Sequence, residues 1–127
     1  EHSAESENDF EMSIIKAMIA AARADGHIDA DEQQRIFQAV EKMNLSAEDK
    51  GIVFDSLQKD VTIKELADGI SAMELKAEIY LASCLVIDPG HPAEREHLDK
   101  LGAELALPRK LLQQLELQAH QAYAQAA

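Results

Sequence analysis

Apolar positions along this chain recur at helical spacing and never alternate as a half-buried strand would. Phe10, Ile14, Met18 and Ala21 form one stripe, with Ile15, Ile19 and Ala22 beside it. That spacing predicts a first helix over about residues 9–24, buried on most of its sides. Asp29-Ala-Asp-Glu32 has the form of a capping box and opens a second helix whose inward positions are Ile36, Ala39, Val40 and Met43. Ser46-Ala-Glu-Asp49 opens a third with Ile52, Val53 and Leu57, and Thr62-Ile-Lys-Glu65 a short fourth ending near Gly69. Ser71-Ala-Met-Glu74 opens a fifth, whose second half, residues 79–87, is the most apolar run in the chain. Pro92 and Pro108 stand where a first helical position tolerates a missing N–H. They begin a sixth helix with Leu98, Leu101 and Leu105, and a seventh with Leu111, Leu112, Leu115 and Ala119. The expected fold class is all-α, a bundle of about seven helices.

Residues 14–57 are echoed by residues 77–118. In each copy an apolar helix runs into an Asp (Asp25, Asp88), a turn with Gly and His follows (Gly26-His27, Gly90-His91), and a Glu opens the next helix (Glu32, Glu94). A shift of 62 residues superimposes Glu32 on Glu94, Ile36 on Leu98 and Leu45 on Leu107, while the two Asp residues need 63. The repeat predicts two similar halves about a pseudo-two-fold axis, with the acidic loops at one end. The expected organisation is an acidic tail or linker over residues 1–9, one helical domain over 10–120, and a polar C-terminal tail over 121–127.

Composition narrows the reading. The 127 residues are 46% hydrophobic, yet only 4% are aromatic and Trp is absent, so the core is built from Ala, Leu, Ile and Met. That palette suits close-packed helices better than sheets. Twenty-four acids against 12 bases give a net charge of −12. The bases are scattered singly apart from Arg109-Lys110, so no basic stripe is available to a phosphate backbone, and nucleic acid is excluded as an expected partner. A single cysteine, Cys84, rules out an internal disulfide and any CxxC motif. It lies on an apolar helix with no base nearby, the setting of an inert core thiol. The longest strongly apolar run is far short of the roughly 20 residues a spanning helix needs. The chain begins with Glu1 rather than Met and is read as a piece of a longer protein.

The acidic loops carry the candidate chemistry. Asp25, His27, Asp29, Asp31 and Glu32 place four carboxylates and an imidazole within eight residues. An EF-hand does not fit, because the sixth loop position is Ala30 rather than Gly and the twelfth is Ile36 rather than Glu. Asp29 and Glu32 read first as helix caps. Asp25 and Asp88 each follow the C-terminus of an apolar helix, where the partial negative charge disfavours a carboxylate. Three explanations stand open: each Asp side chain staples the next helix by accepting its free amides, a divalent cation offsets the repulsion, or the two positions share no role. A cation site would draw on Asp25, Asp29, Glu32, Asp88 and Glu94, with His27 and His91 as lesser candidates. The oxygen ligands suit Ca²⁺, Mg²⁺ or Mn²⁺, and zinc less well. His97 is expected on the polar side of the sixth helix. No GxSxG, P-loop, GxGxxG or HExxH pattern is present, so no catalytic or nucleotide-binding residues are expected.

The pattern ARADGHIDADEQ, the helix ending in MNLS, and the later EIYLASCLVIDPGHPAEREHLDKLGAELALP resemble the YebE-type bacterial inner-membrane proteins of unknown function, and more distantly the TerB-like tellurite-resistance fold. The likeness covers about residues 10–120. It implies a TerB-like helical domain whose metal-binding acids would fall on Asp25, Asp29 and Glu32 in the first copy and on Asp88 and Glu94 in the second. His91 stands where the first copy has Asp29, which leaves the second loop poorer in carboxylates. The resemblance also implies a link to envelope or stress functions. It implies a soluble domain on the cytoplasmic side of the bacterial inner membrane, attached through a segment absent from this chain. The expected function is a non-enzymatic domain that binds a protein partner, itself or a cation. The rivals are a metal-dependent enzyme using the loop carboxylates, marked by an acidic pocket, and a purely structural oligomerisation module. A binding module would instead expose an apolar patch.

Overall fold

The two helices with the widest apolar faces form the centre of the molecule. The computed structural model describes residues 3–24, 26, 28–43, 45–57, 61–68, 70–87 and 90–126. Among these, seven α-helices follow in order: α1 (Ser3–Ala22), α2 (Ala30–Lys42), α3 (Ala47–Ser56), α4 (Ile63–Ala67), α5 (Met73–Val86), α6 (Pro92–Glu104) and α7 (Arg109–Ala126). No strand occurs among the described residues, and the all-α class stands.

Helices α1 and α5 make the most extensive pairing in the fold. Ile15, Ala17, Ile19, Ala21 and Ala22 of α1 are fully enclosed, as are Ile79, Tyr80, Ser83 and Val86 of α5. The many small side chains, including Ala17, Ala20, Ala21, Ala82 and Ser83, let two helix axes approach closely. The buried Ser83 hydroxyl is satisfied within its own helix, donating to the Ile79 carbonyl at 3.0 Å.

The remaining pairings obey the sequence repeat. α1 packs on α2 as α5 packs on α6, and α1 on α3 as α5 on α7. α1 also touches α6 just as α5 touches α2. Each of these pairs maps onto the other when the halves are exchanged, as a pseudo-two-fold arrangement requires. α4 has no copy in the repeat; it bridges α1 and α6.

Local chemistry explains most of the element boundaries. Asp29 caps α2 in a reciprocal box, and Thr62 with Glu65 does the same for α4. Ser46 accepts from the Asp49 amide at the start of α3. The Ser71 cap expected for α5 does not form: the capping position falls on Ala72, which has no side-chain bond to offer. α1 begins at Ser3, earlier than its apolar stripe predicts. α7 continues through the stretch expected as a polar tail, to Ala126.

α6 ends in a Schellman turn. The Leu107 N–H donates to the Gly102 carbonyl at 3.2 Å, and the Ala106 N–H to the Ala103 carbonyl at 3.0 Å. Ala106 consequently adopts a left-handed conformation, φ 57°. For an L residue that conformation costs roughly 1–2 kcal/mol. Glycine removes the cost but adds unfolded-state freedom, on the order of 0.4–1 kcal/mol. Ala106→Gly is therefore expected to raise stability by about 0.5–1 kcal/mol, and Ala106→Val to lower it. Urea midpoints of the three proteins check this, and a lower midpoint for the glycine variant would contradict the left-handed cap.

Candidate functional site

Asp29 and Glu32 of the first loop are occupied with helix capping, while Asp31 stands exposed in the first turn of α2. Asp29 Oδ1 accepts from the Glu32 amide at 2.8 Å, and Glu32 Oε1 accepts from the Asp29 amide at 3.0 Å. Glu32 is buried, and so is its repeat mate Glu94, each retaining 4% of its exposure. Both stand at the third position of their helix, where the N-terminal dipole favours a carboxylate. In the second loop His91 takes the capping position of α6, makes no side-chain cap bond, and places Nδ1 3.8 Å from Glu94 Oε2. Asp25, His27 and Asp88 lie outside the described residues. Among the described residues no three His, Cys, Asp or Glu side chains are grouped to hold a metal ion.

Charge at helix C-termini is managed by arginines reaching from other elements. α5 has no basic residue in its own last turn, and Arg35 of α2 donates through Nη1 to the Val86 carbonyl at 2.7 Å. Arg23, just beyond α1, donates likewise to the Leu57 carbonyl at the end of α3, also at 2.7 Å. A guanidinium at the negative end of a helix dipole is a favourable, charge-assisted arrangement.

Composition gave no hint of a polar cluster that joins α5, α6 and α7. The fully buried Tyr80 donates its hydroxyl to Glu116 Oε2 at 2.6 Å. Arg95 clamps the same carboxylate with both terminal nitrogens, at 2.8 and 2.9 Å, and also reaches Asp99. Burial, followed by the bond to Glu116, pushes the Tyr80 phenol far above its ordinary range. Arg95 holds the Glu116 carboxyl below the usual carboxylate range. One turn along α5, burial pushes the Cys84 thiol up to about 12, which makes it the inert core thiol that its surroundings in the sequence imply. The spacing of Arg95 and Asp99 was a legible helical pair, but the third partner, Glu116, could only be found in space.

His97 departs from its expected place on a polar face. It is largely enclosed and lines a cleft of about 190 Å³ with Ala20, Arg23, Ala24, Val61 and Ile63. Its Nε2 is buried without a hydrogen-bond partner among the described residues. Position 97 is the repeat mate of Arg35, since both lie on the shift of 62. Where Arg35 spans the gap to the end of α5, the shorter imidazole faces the end of α1 across open space. The insertion of α4 covers this face of α6, which periodicity within α6 cannot reveal. Burial, then the nearby Lys100 charge, lowers the His97 pKa below 6.5.

A second cleft, about 250 Å³, lies between α2 and α3. Val40 and Val53 form its buried floor, Phe37 and Phe54 line it, and Glu41 and Lys50 stand at its rim. The phenyl rings meet tilted, centroids 5.4 Å apart. Phe54 is 54% exposed and Ile52, also on α3, 43%. Two of the four exposed large apolar side chains among the described residues thus lie on one ten-residue helix. At this size the cleft falls below the ~300 Å³ where small-molecule pockets begin.

Comparison with known proteins places the chain without supplying a function. The model of a family described as "Protein of unknown function (DUF533)" matches residues 1–119. A Yersinia enterocolitica protein described as "Uncharacterized protein in ampR 5'region" is 30% identical over 103 residues, covering 81% of this chain and 74% of that protein. No solved structure matches.

The enclosed imidazole sets a pH dependence. The folded state holds His97 neutral below the pH at which the unfolded chain takes up a proton near 6.5, so the unfolded state binds more protons and stability falls with acidification. Melting temperatures of the wild type and His97→Gln, measured from pH 7.5 to 5.5, should diverge, the wild type losing more as the pH drops below about 6.5. Parallel curves would show that His97 stays uncoupled from folding.

Proposed function

This chain belongs to the DUF533 family, and on that premise we propose that it is a non-enzymatic interaction domain that docks a protein partner on the α2–α3 face. The observation that carries the reading is the aromatic cleft itself, with Phe37 and the exposed Phe54 left over a valine floor. A soluble domain that keeps such side chains in water forgoes burial, and grouped exposed apolar residues mark contact surfaces. The strongly shifted groups, Tyr80, Arg95 and Cys84, are tied up in packing α5 against α6 and α7 and face neither described cleft. This supports binding over catalysis.

No described helix is long and apolar enough to cross a membrane. The resemblance to inner-membrane proteins supports attachment through a segment outside these residues, with the domain at the cytoplasmic face and a role in envelope or stress functions. Benzoylphenylalanine in place of Phe54, in cells making the whole protein, should form a discrete photo-adduct identifiable by mass spectrometry. The adduct should disappear when Phe37→Ser is added, and the same probe at the exposed Lys110 should give none. Equal adducts at both positions, or none at 54, would count against the docking face.

A second reading rests on the buried, repeat-related Glu32 and Glu94: together with Asp25, Asp29 and Asp88 they bind a divalent cation. In protein first stripped with chelator, Ca²⁺, Mg²⁺ or Mn²⁺ should then raise the melting temperature, corresponding to roughly 2.7 kcal/mol at a hundredfold excess over Kd. Asp25→Asn should abolish the rise. A melting temperature unmoved by millimolar metal removes this reading and leaves the loops as helix staples.

A further inference from the structure

The helix that covers His97 is lightly held. α4 is five residues long and stands between the two copies of the repeat, so none of the pairings that the two halves share passes through it. Its main neighbours are α6 and α1. Leu66 is its one buried side chain; Ile63 and Ala67 are half-buried, and Lys64 and Glu65 lie in solvent. A segment that encloses one large side chain while ordering five residues belongs to the low-stability end of a structure, where local opening precedes global unfolding.

Beneath that cover is a ring that cannot hold a second proton where it stands. His97 Nε2 is closed to solvent and bonded to nothing among the described residues. In the imidazolium both ring nitrogens carry an N–H, and a buried charge without an acceptor is costly. From α1 the cleft brings the ring the Arg23 guanidinium, and from the α4 side Val61 and Ile63. On α6 itself Lys100 acts on the ring with the same sign as a proton would, while the Glu94 carboxylate, a turn earlier, stands 3.8 Å from His91. Glu74, Lys76 and Glu78 of α5 lie in its first two turns, and none of them acts on the ring. Among the described residues a charged His97 thus meets two positive groups and no acceptor, so it has to be let into water.

Two walls of the cleft stand in the way. One is the end of α1, part of the central pair, where Ala20 is buried and Arg23 holds the Leu57 carbonyl. The other is α4. We propose that His97 is a proton-operated latch on α4: when the ring is protonated, α4 lifts from α6 while the α1–α5 pair and the helices around it stay folded. Lifting brings Ile63 and Leu66 to the surface, an apolar strip hidden at neutral pH and shown in acid. The latch lies apart from the α2–α3 face and does not depend on what docks there.

Melting alone registers that folding and protonation are linked without saying which part opens. Amide hydrogen exchange, followed by NMR on the full chain from pH 7.5 to 5.0 and corrected for intrinsic rates, separates the two. The Leu66 and Asp68 amides, which donate to the Thr62 and Lys64 carbonyls, report on α4. Amides around Ile19 and Ile79 report on the central pair. The α4 amides should exchange through a larger opening constant than the core at every pH. That constant should rise by at least about fivefold by pH 5.0 and by no more than about thirtyfold, the limit for one proton taken up with a pKa of about 6.5. His97→Phe, a planar ring with no site for a proton, should hold the α4 constant flat over the same range. His97→Gln should do the same and covers the case in which the larger ring disturbs the cleft. Leu66→Ala should open α4 already at pH 7.5 with the core amides still protected.

One opening constant shared by α4 and the core would mean that only global unfolding admits the proton, and would overturn the latch. So would an α4 constant that ignores pH, or one that rises equally in both His97 variants. Core amides that lose protection together with α4 in Leu66→Ala would show that α4 cannot lift by itself, with the same result.

Discussion

Everything in this fold depends on the close pairing of α1 and α5. Both helices are apolar around most of their circumference, so neither can rest on a bundle surface with one side in water. Their small side chains bring the axes together, and the remaining exposed sides must then be covered by other helices. The two copies of the repeat supply that cover reciprocally: α2 and α3 pack on α1 while α6 and α7 pack on α5, and each second helix also reaches the opposite central one. A half could not stand alone, because its own central helix would keep one bare face.

Buried polar groups follow the same economy of shared partners. The negative end of α5 is met by Arg35 from the other half, and the negative end of α3 by Arg23 from beyond α1. Tyr80, the largest fully buried side chain, brings a hydroxyl into the core and needs an acceptor there; Glu116 provides it and is itself held by Arg95. These contacts fix how α6 and α7 sit on α5. The repeat is broken where Arg35 corresponds to His97, and that difference leaves one helix end bridged and the other facing a cleft with an unpartnered ring nitrogen. The cleft is a consequence of side-chain length at one position as much as of the α4 insertion.

The proposed docking face uses none of the acidic-loop residues that first attract attention. Asp29 and Glu32 have a structural duty, since they satisfy each other's amides at the head of α2. The docking face proposed above includes α3, which has one side against the bundle, turning Val53 inward and leaving Ile52 and Phe54 outside.

The sequence by itself determined the helices, their caps at Asp29, Ser46 and Thr62, the two-fold repeat and the central place of α1 and α5. These follow from local rules: apolar spacing, capping residues and prolines act within a few positions of themselves. The inertness of Cys84 was legible for the same reason, from its apolar neighbours along one helix. Only the tertiary structure decided the setting of His97, the meeting of Tyr80, Arg95 and Glu116, and the cleft of Phe37 and Phe54. Each joins residues from separate helices, and periodicity within one helix says which side is apolar but not what covers it. His97 was misjudged because α4 covers a face of α6 that its own pattern presents as polar. Ile52 read as a core residue, yet α3 has only one side against the bundle, and Val53 occupies it. Which apolar residues remain in water is settled by how many helices there are to cover them, and that number exists only in the assembled fold.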